Sequence, residues 1–557
     1  LSDLEAGVLK ALIPDLSTLV QHPVAKAPEL EPGAAQARLL EVIERIVRRQ
    51  TQPLVILLED LHWAGSESLA LLQRLIDAAE DLPVLIAATY RSEERPELPD
   101  ELSGMAVMRL ERLPADAIAS LSVSMIGPAG RDPALVALLE RETEGNAFFL
   151  VEVVRTLAEE AGQLDRIGTA PLPETVFTGG VRRVLERRLS LLASPDVALL
   201  QIAAVVGREL DLGMLTRLEP DMDPEPWLNR CNSVAVLDYG MGGWRFAHDK
   251  LREQLLLELP ADAARALHRR VAEALEANAP DQADRAAALA YHWGMAGEPD
   301  REAHQLAVAG VQALTGGAYA EAARAFERVL NLREGSSGDL LERARLHRLI
   351  GDARYGLGDF AGARPHYSQA QAMLGHPMPE ARVGWQILFY WQLFIQLVHR
   401  LLPGRWIEPL DHQRACLLEV SRAAGMLARC AVYCGDGPML GASSLRAVNL
   451  AENAGGENVY GLAVVGNLVG PLRLRGLSRQ YFARSLKAGQ AQQDYGALVE
   501  MRVAEGMFYI GQGELEAAGA PLEDALIVAR ESGYFHGLSA ATGSLAVREC
   551  FAGRFTS

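Results

Sequence analysis

The 557-residue sequence has no Gly-Lys dipeptide, and so no Gly-x-x-x-x-Gly-Lys-Ser/Thr loop of the kind that cradles nucleotide phosphates. Cysteine is scarce: five in so long a chain exclude a disulfide framework and predict a reducing compartment, the cytoplasm. Cys430 and Cys434 have no second Cys or His pair beside them, so no structural metal site is expected there. Positive charge is in the minority, with 54 Lys+Arg against 72 Asp+Glu, and the net charge of -18 argues against a dedicated nucleic-acid module. No uncharged apolar run reaches the ~20 residues that a bilayer crossing needs. The longest, Val383 to Val398, is interrupted by Gln386, Gln392 and Gln396 and predicts a buried helix, with no membrane partner. The first 25 residues show no basic leader followed by an apolar core.

What is present is an ordinary globular balance, 49% apolar and 23% charged, which excludes long disorder. At ~150 residues per domain the chain should hold three or four folding units. The first third alternates strand and helix. Pro53 to Leu58 is a short continuous apolar run, the pattern of a strand covered on both faces, and it ends at Glu59-Asp60. A helix starts near Ser66, an N-cap residue, with an apolar stripe of Leu69, Leu72, Leu75, Ile76 and Ala79. A second apolar run, Pro83 to Ala88, ends at Thr89-Tyr90-Arg91 and implies a parallel pair joined by a right-handed crossover. Ala106 to Leu113 reads as a further strand, with Pro114 and Asp116 opening the next helix.

From about residue 133 the pattern turns helical. Thr175 to Leu192 and Pro195 to Val206 read as helices, and Trp244-Arg245-Phe246 after Met241-Gly242-Gly243 suggests a hairpin, together a winged-helix-like unit over 175–262. Beyond Ala263 a repeat appears. Gly317-Ala-Tyr319-Ala-Glu-Ala322 is echoed at Gly358-Asp-Phe360-Ala-Gly-Ala363 and at Gly513-Glu-Leu515-Glu-Ala-Ala518, and begins again at Gly553-Arg-Phe555. Weaker copies start near Gly435 and Gly476, and the 77-residue step from Gly358 to Gly435 predicts one degenerate copy near 396. Each unit reads as a helical hairpin: Gly makes the turn, the aromatic or Leu plugs the neighbouring unit, and Ala lets helices approach. The set resembles tetratricopeptide repeats with a longer period.

The segment Leu54-Val-Ile-Leu-Leu-Glu59-Asp60-Leu61-His62-Trp63-Ala64 ends an apolar strand in two carboxylates. A Walker B motif needs that arrangement, one acid for Mg²⁺ and one for the attacking water. On spacing alone, two acids that merely end a strand in solvent read as well. The longer string resembles the Walker B region of signal-transduction ATPases with numerous domains, the STAND branch of AAA+ proteins. Three further segments fit that family in order: Pro83 to Arg91, Glu144-Gly145-Asn146-Ala147-Phe148-Phe149-Leu150-Val151-Glu152, and Phe246-Ala247-His248-Asp249-Lys250-Leu251-Arg252-Glu253.

The resemblance implies an incomplete α/β P-loop NTPase-like core at 1–115, a helical lid at 116–174, the winged-helix-like domain at 175–262, and an all-α tetratricopeptide-like superhelix at 263–557. It implies ATP and Mg²⁺ as ligands of the intact protein: Glu59 and Asp60 would handle the metal and water, Arg91 would sense the γ-phosphate, and Gly145 and Asn146 would shape the lid. It also implies a protein or small-molecule signal on the repeats, self-association through the ATPase module, and no nucleic-acid contact within this chain. The string Tyr355-Gly-Leu-Gly-Asp359-Phe360 looks most like members linked to a cyclase domain.

Several residues depart from the family pattern. Glu59 stands where many relatives have Asp, Gly65 replaces an Asp, and Ala147 replaces the lid Pro. The absent phosphate loop leaves Glu59 and Asp60 without a triphosphate to act on. Leu1 in place of Met, entry into the α/β region without its first strand, and an ending partway through a repeat predict an interior slice of a larger regulator. A pseudo-ATPase, serving as a nucleotide-independent scaffold, is the alternative. His62 and Trp63 read better as packing and hydrogen-bonding residues than as catalysts, and His248-Asp249 as structural rather than an acid–base pair. Arg182, Arg183, Arg187 and Arg188, interrupted by Glu186, read as a solvated or interface face rather than a DNA site.

Overall fold

The computed structural model describes all residues except 11, 14–15, 29, 31–33, 148, 152, 155–156, 158–185, 241–242, 278–284, 335–338, 402–409, 471–473 and 555–557. The chain forms two compact units, one of Leu1–Met105 with Asp300–Ser557 and one of Ala106–Pro299.

In the first unit, helices α1 (Asp3–Leu9) and α2 (Ala34–Arg48) precede strand β1 (Leu54–Leu58), helix α3 (Ser66–Ala79) and strand β2 (Val84–Ala88). The strands pair in parallel, Leu54 opposite Val84 through Leu58 opposite Ala88, as the apolar runs predict. The residue that caps α3 is Gly65, with Ser66 already in the first turn. Only one face of the sheet is covered: Leu58 and Ile86 pack with Leu69, Leu72 and Ile76 of α3 and with Leu98 and Leu102. Val55, Leu57 and Leu85 on the other face are exposed, which corrects the expectation of a strand buried on both sides. Among the described residues no second layer reaches them.

The repeats complete this unit as antiparallel helix pairs. They are α12 (Pro299–Gly316) with α13 (Tyr319–Leu332), α14 (Leu340–Gly356) with α15 (Phe360–Met373), a single helix α16 (Arg382–Leu401), α17 (Asp411–Cys434) with α18 (Gly437–Asn453), α19 (Val459–Val469) with α20 (Arg475–Gln492), and α21 (Tyr495–Gly511) with α22 (Gly519–Ser532), before α23 (Phe535–Phe551). Gly317, Gly358, Gly435, Gly513 and Gly553 all take positive φ, the left-handed turn that the repeat pattern asks of them. Gly476 does not; it lies inside α20, so the copy predicted there has its turn elsewhere. No turn occurs near 396 either, because Ile395-Gln396-Leu397 lacks a residue that reverses the chain and α16 runs straight through. The plug role is visible at Tyr319, fully buried against Gly356, where an added Cβ would stand 2.7 Å from the ring.

In the second unit, α4 (Ala115–Ile126) and α5 (Pro133–Thr143) share a core of Ile118, Leu135, Leu139 and Leu150. Ala106 to Leu113 is not a strand. The segment has no partner in a ladder, and Met108 and Leu110 are exposed. Helices α6 (Ser194–Val206), α7 (Leu212–Leu218) and α8 (Pro224–Ser233) are followed by the antiparallel strands β3 (Leu237–Gly240) and β4 (Gly243–Phe246) and by α9 (Asp249–Leu257). Trp227, Leu237, Phe246 and Leu251 fill their common core. Then come α10 (Ala261–Ala277) and α11 (Ala286–Ala296). The helix expected from Thr175 lies outside the described residues up to position 185, as do the turn residues Met241 and Gly242.

Candidate functional site

The end of β1 leads directly into the acids. Asp60 holds φ 54° and ψ 44°, a left-handed conformation uncommon for a residue with a side chain. Two backbone bonds to the end of the neighbouring strand keep it there: Thr89 N–H donates to Leu58 O and Leu61 N–H to Thr89 O, both at 2.8 Å. The Asp60 N–H donates to Thr89 Oγ1 at 3.2 Å. The chain then closes a single 3-10 turn, Leu61–Trp63. Glu59 is exposed and Asp60 half-buried, so both carboxylates stand at the open C-terminal end of the sheet.

His62 points the other way, into the protein, and is buried. Its Nδ1 accepts the Arg91 backbone N–H at 3.3 Å, which leaves the ring proton on Nε2. Nε2 lies 3.3 Å from Glu94 Oε2, an electrostatic approach rather than a formed hydrogen bond. Arg91 Nη1 donates to Glu94 Oε1 at 2.8 Å, and the guanidinium, helped by His62, holds the Glu94 carboxyl below the usual carboxylate range. His62 is thus a strut between the two strand ends, as the packing reading has it, while Trp63 is exposed. Sequence reasoning missed Glu94; its spacing of three from Arg91 was the available signal.

In the second unit, Gly145 takes φ +74°, and an added Cβ would stand 2.5 Å from Leu113 O. Its carbonyl accepts the Leu113 N–H at 2.8 Å, so this glycine serves a close backbone approach. Asn146 O accepts the Leu150 N–H at 2.9 Å and starts the following helical turn. Phe148 and Glu152 of the same motif lie outside the described residues. His248 Nδ1 accepts the Lys250 N–H at 3.1 Å as the cap of α9, a structural task, and the Asp249 side chain lies outside the description. Of the arginine group, Arg182 and Arg183 are likewise outside it, while Arg188 is buried and donates to Ala235 O at 2.6 Å.

Chemically, Glu59 and Asp60 could hold a hydrated cation from one side. The Arg91 guanidinium is already engaged by Glu94, and no group of three His, Cys, Asp or Glu side chains suited to a metal occurs among the described residues. With no Gly-Lys loop in the sequence, these residues on their own do not compose a triphosphate site, and no hydrolytic step follows from them.

A second set of contacts, invisible in the sequence, joins the N-terminal helices to the repeats. The Glu67 carboxylate in the first turn of α3 accepts the Ala320 backbone N–H at 2.6 Å, capping the N-terminus of α13. Gly317 meets α2 so closely that an added Cβ would lie 2.9 Å from Gln36 Cα. At the far end of the array Arg38 Nη1 donates to Ser532 O at 2.6 Å, Arg45 lies over the Phe535 ring at 4.7 Å, and Ala34 joins a core with Val499, Ala525, Ala529 and Tyr534. Helix α2 is therefore gripped by the first and last repeats at once.

Residues 1–87 match the family described as the AAA ATPase domain. An uncharacterized protein of Rhizobium meliloti (strain 1021) is 25% identical over 378 residues, which cover 64% of this chain and 36% of that protein. The chain thus spans 36% of the length of the curated relative it matches. Among solved structures, a Signal Transduction ATPase with Numerous Domains (STAND) protein with a tetratricopeptide repeat sensor, from Pyrococcus horikoshii, aligns with 92% of this chain and 74% of that one, at 14% identity and a TM-score of 0.39.

Proposed function

We propose that the chain is the sensing part of an ATP-dependent signalling regulator, in which the repeat array holds an ATPase-type segment in one arrangement until a signal engages the repeats. The observation that carries this reading is the double grip on α2 and α3, through Glu67 and Ala320 at one end and Arg38 and Ser532 at the other. A signal that binds the repeats and alters their curvature would load or release both contacts together. Glu59 and Asp60 would meet Mg²⁺, and Arg91, once released from Glu94, the nucleotide. Gly145 and Asn146 would serve the lid, α6 to α9 the winged-helix-like connector, and a cyclase-type domain would provide the output. The signal is a protein or small molecule, and the setting is the cytoplasm.

A second reading has one observation of its own. The missing Gly-Lys dipeptide favours a nucleotide-independent scaffold whose working surface is the repeat array. Nucleotide binding by the product of the complete reading frame separates the two. The switch requires Mg²⁺-dependent ATP binding, with turnover lost in Asp60→Asn; the scaffold predicts no binding in either protein.

A further inference from the structure

Helix α16 buries Gln392, Gln396 and His399 toward the repeats beside Trp385. Asn449 Nδ2 donates to Gln392 Oε1 at 2.8 Å, and Gln396, His399 and Arg400 converge on the Glu452 carboxylate at 3.2, 2.7 and 2.8 Å. Phe389 is pressed onto Gly441, where an added Cβ would lie 2.7 Å from the ring. These contacts fix the helix rigidly along α18 and leave its apolar side outward. Val383, Ile387, Tyr390, Phe394, Leu397 and Leu401 are each 54–69% exposed, and Trp391 stacks beside Phe394. So long an apolar run on a surface marks an interaction site.

Its spacing says what fits. The six residues follow one another at steps of 4, 3, 4, 3 and 4, the heptad rhythm of a helix–helix seam. That rhythm reads the same in both directions. Laid antiparallel across a two-fold axis level with Gln392, one copy of the helix places Val383 against the partner's Leu401, Ile387 against the partner's Leu397, and Tyr390 against the partner's Phe394. Every apolar residue then meets an apolar residue, the self-complementarity that an isologous interface requires. A standard stable interface takes about 800 Å² from each partner, and these exposed side chains, with Trp391 at 57%, supply its apolar centre. The helix carries no carboxylate, and the Arg400 guanidinium is held on Glu452 of its own chain, so the seam brings no acidic pair together.

We propose that α16 is the two-fold interface of a homodimer, formed by antiparallel pairing of its outward apolar stripe with the same stripe of a second copy.

The test is sedimentation of the full chain, together with cysteine cross-linking. Wild type should sediment at twice its 60.4 kDa mass, and Tyr390→Glu/Phe394→Glu should raise the dimer dissociation constant at least a hundredfold with unchanged circular dichroism. Under mild oxidation Val383→Cys/Leu401→Cys should form a covalent dimer, while either single variant and wild type, which share the native cysteines, should not. A monomeric wild type across the micromolar range overturns the proposal, as does a dimer that ignores the glutamates. Cross-linking by Val383→Cys alone also overturns it, since in the antiparallel pair the two copies of position 383 stand roughly 27 Å apart. A monomer that instead binds phospholipid vesicles through the same stripe overturns it in favour of a membrane surface.

Discussion

Arg38 and Ser532 are 494 positions apart in the chain, yet the Arg38 guanidinium donates to the Ser532 carbonyl at 2.6 Å. Arg38 is buried, and burial pulls its pKa down to about 10. A buried cation with a carbonyl partner is an expensive way to pin a helix end, and removing it leaves that carbonyl without its donor. Arg38→Ala should cost about 2 kcal/mol in urea unfolding, and Arg38→Met, which keeps the packed stem, clearly less.

Asp60 offers a cleaner backbone experiment. Its left-handed φ suits glycine, so Asp60→Gly should leave stability unchanged or slightly higher, whereas Asp60→Val should lose about 1–2 kcal/mol by thermal unfolding. Purified 1–557 should show no Mg²⁺-dependent ATP turnover, and Asp60→Ala should change nothing. Hydrolysis by the chain that Asp60→Ala abolishes would contradict the site described here.

The His62 strut separates acceptor from bulk. Asn places its side-chain oxygen where Nδ1 sits and can keep the Arg91 N–H bond; Ala cannot. His62→Ala should lower stability by about 1–3 kcal/mol, with His62→Asn recovering part of the loss, read as urea midpoints.

The buried pair His268 and His292, Nδ1 to Nδ1 at 2.9 Å, sets a pH dependence. Burial, with the neighbouring imidazole and Arg252 adding to it, lowers His292 to about 4. The unfolded chain, with an ordinary histidine near 6.5, binds the proton more readily. Stability is therefore full above pH ~6.5 and falls as the pH drops toward 4, by about 2–3 kcal/mol for this group. His292→Gln should flatten that part of the urea-midpoint curve.

Local features were legible in the sequence. β1 and β2 announce themselves as apolar runs ending in Glu59-Asp60 and Thr89-Tyr90-Arg91, and five repeat glycines mark their turns because only the local backbone decides φ there. What depended on distant partners was not. The composition of α16 suggests burial, but Glu452 and Asn449 engage Gln392, Gln396 and His399 and an apolar stripe is left outward. Met108 and Leu110 look like strand residues, and no neighbouring strand receives them. The contacts of Glu67 and Arg38 join segments hundreds of residues apart, which no periodicity can reveal.

The central claim is that the repeats grip the N-terminal helices from both ends, and hydrogen exchange measures it directly. In Arg38→Ala/Glu67→Ala, the amides of α2 and of the first turn of α13 should exchange at least about tenfold faster than in wild type, while α14 and α15 stay unchanged. Unaltered exchange in α2 and α13 would contradict the account.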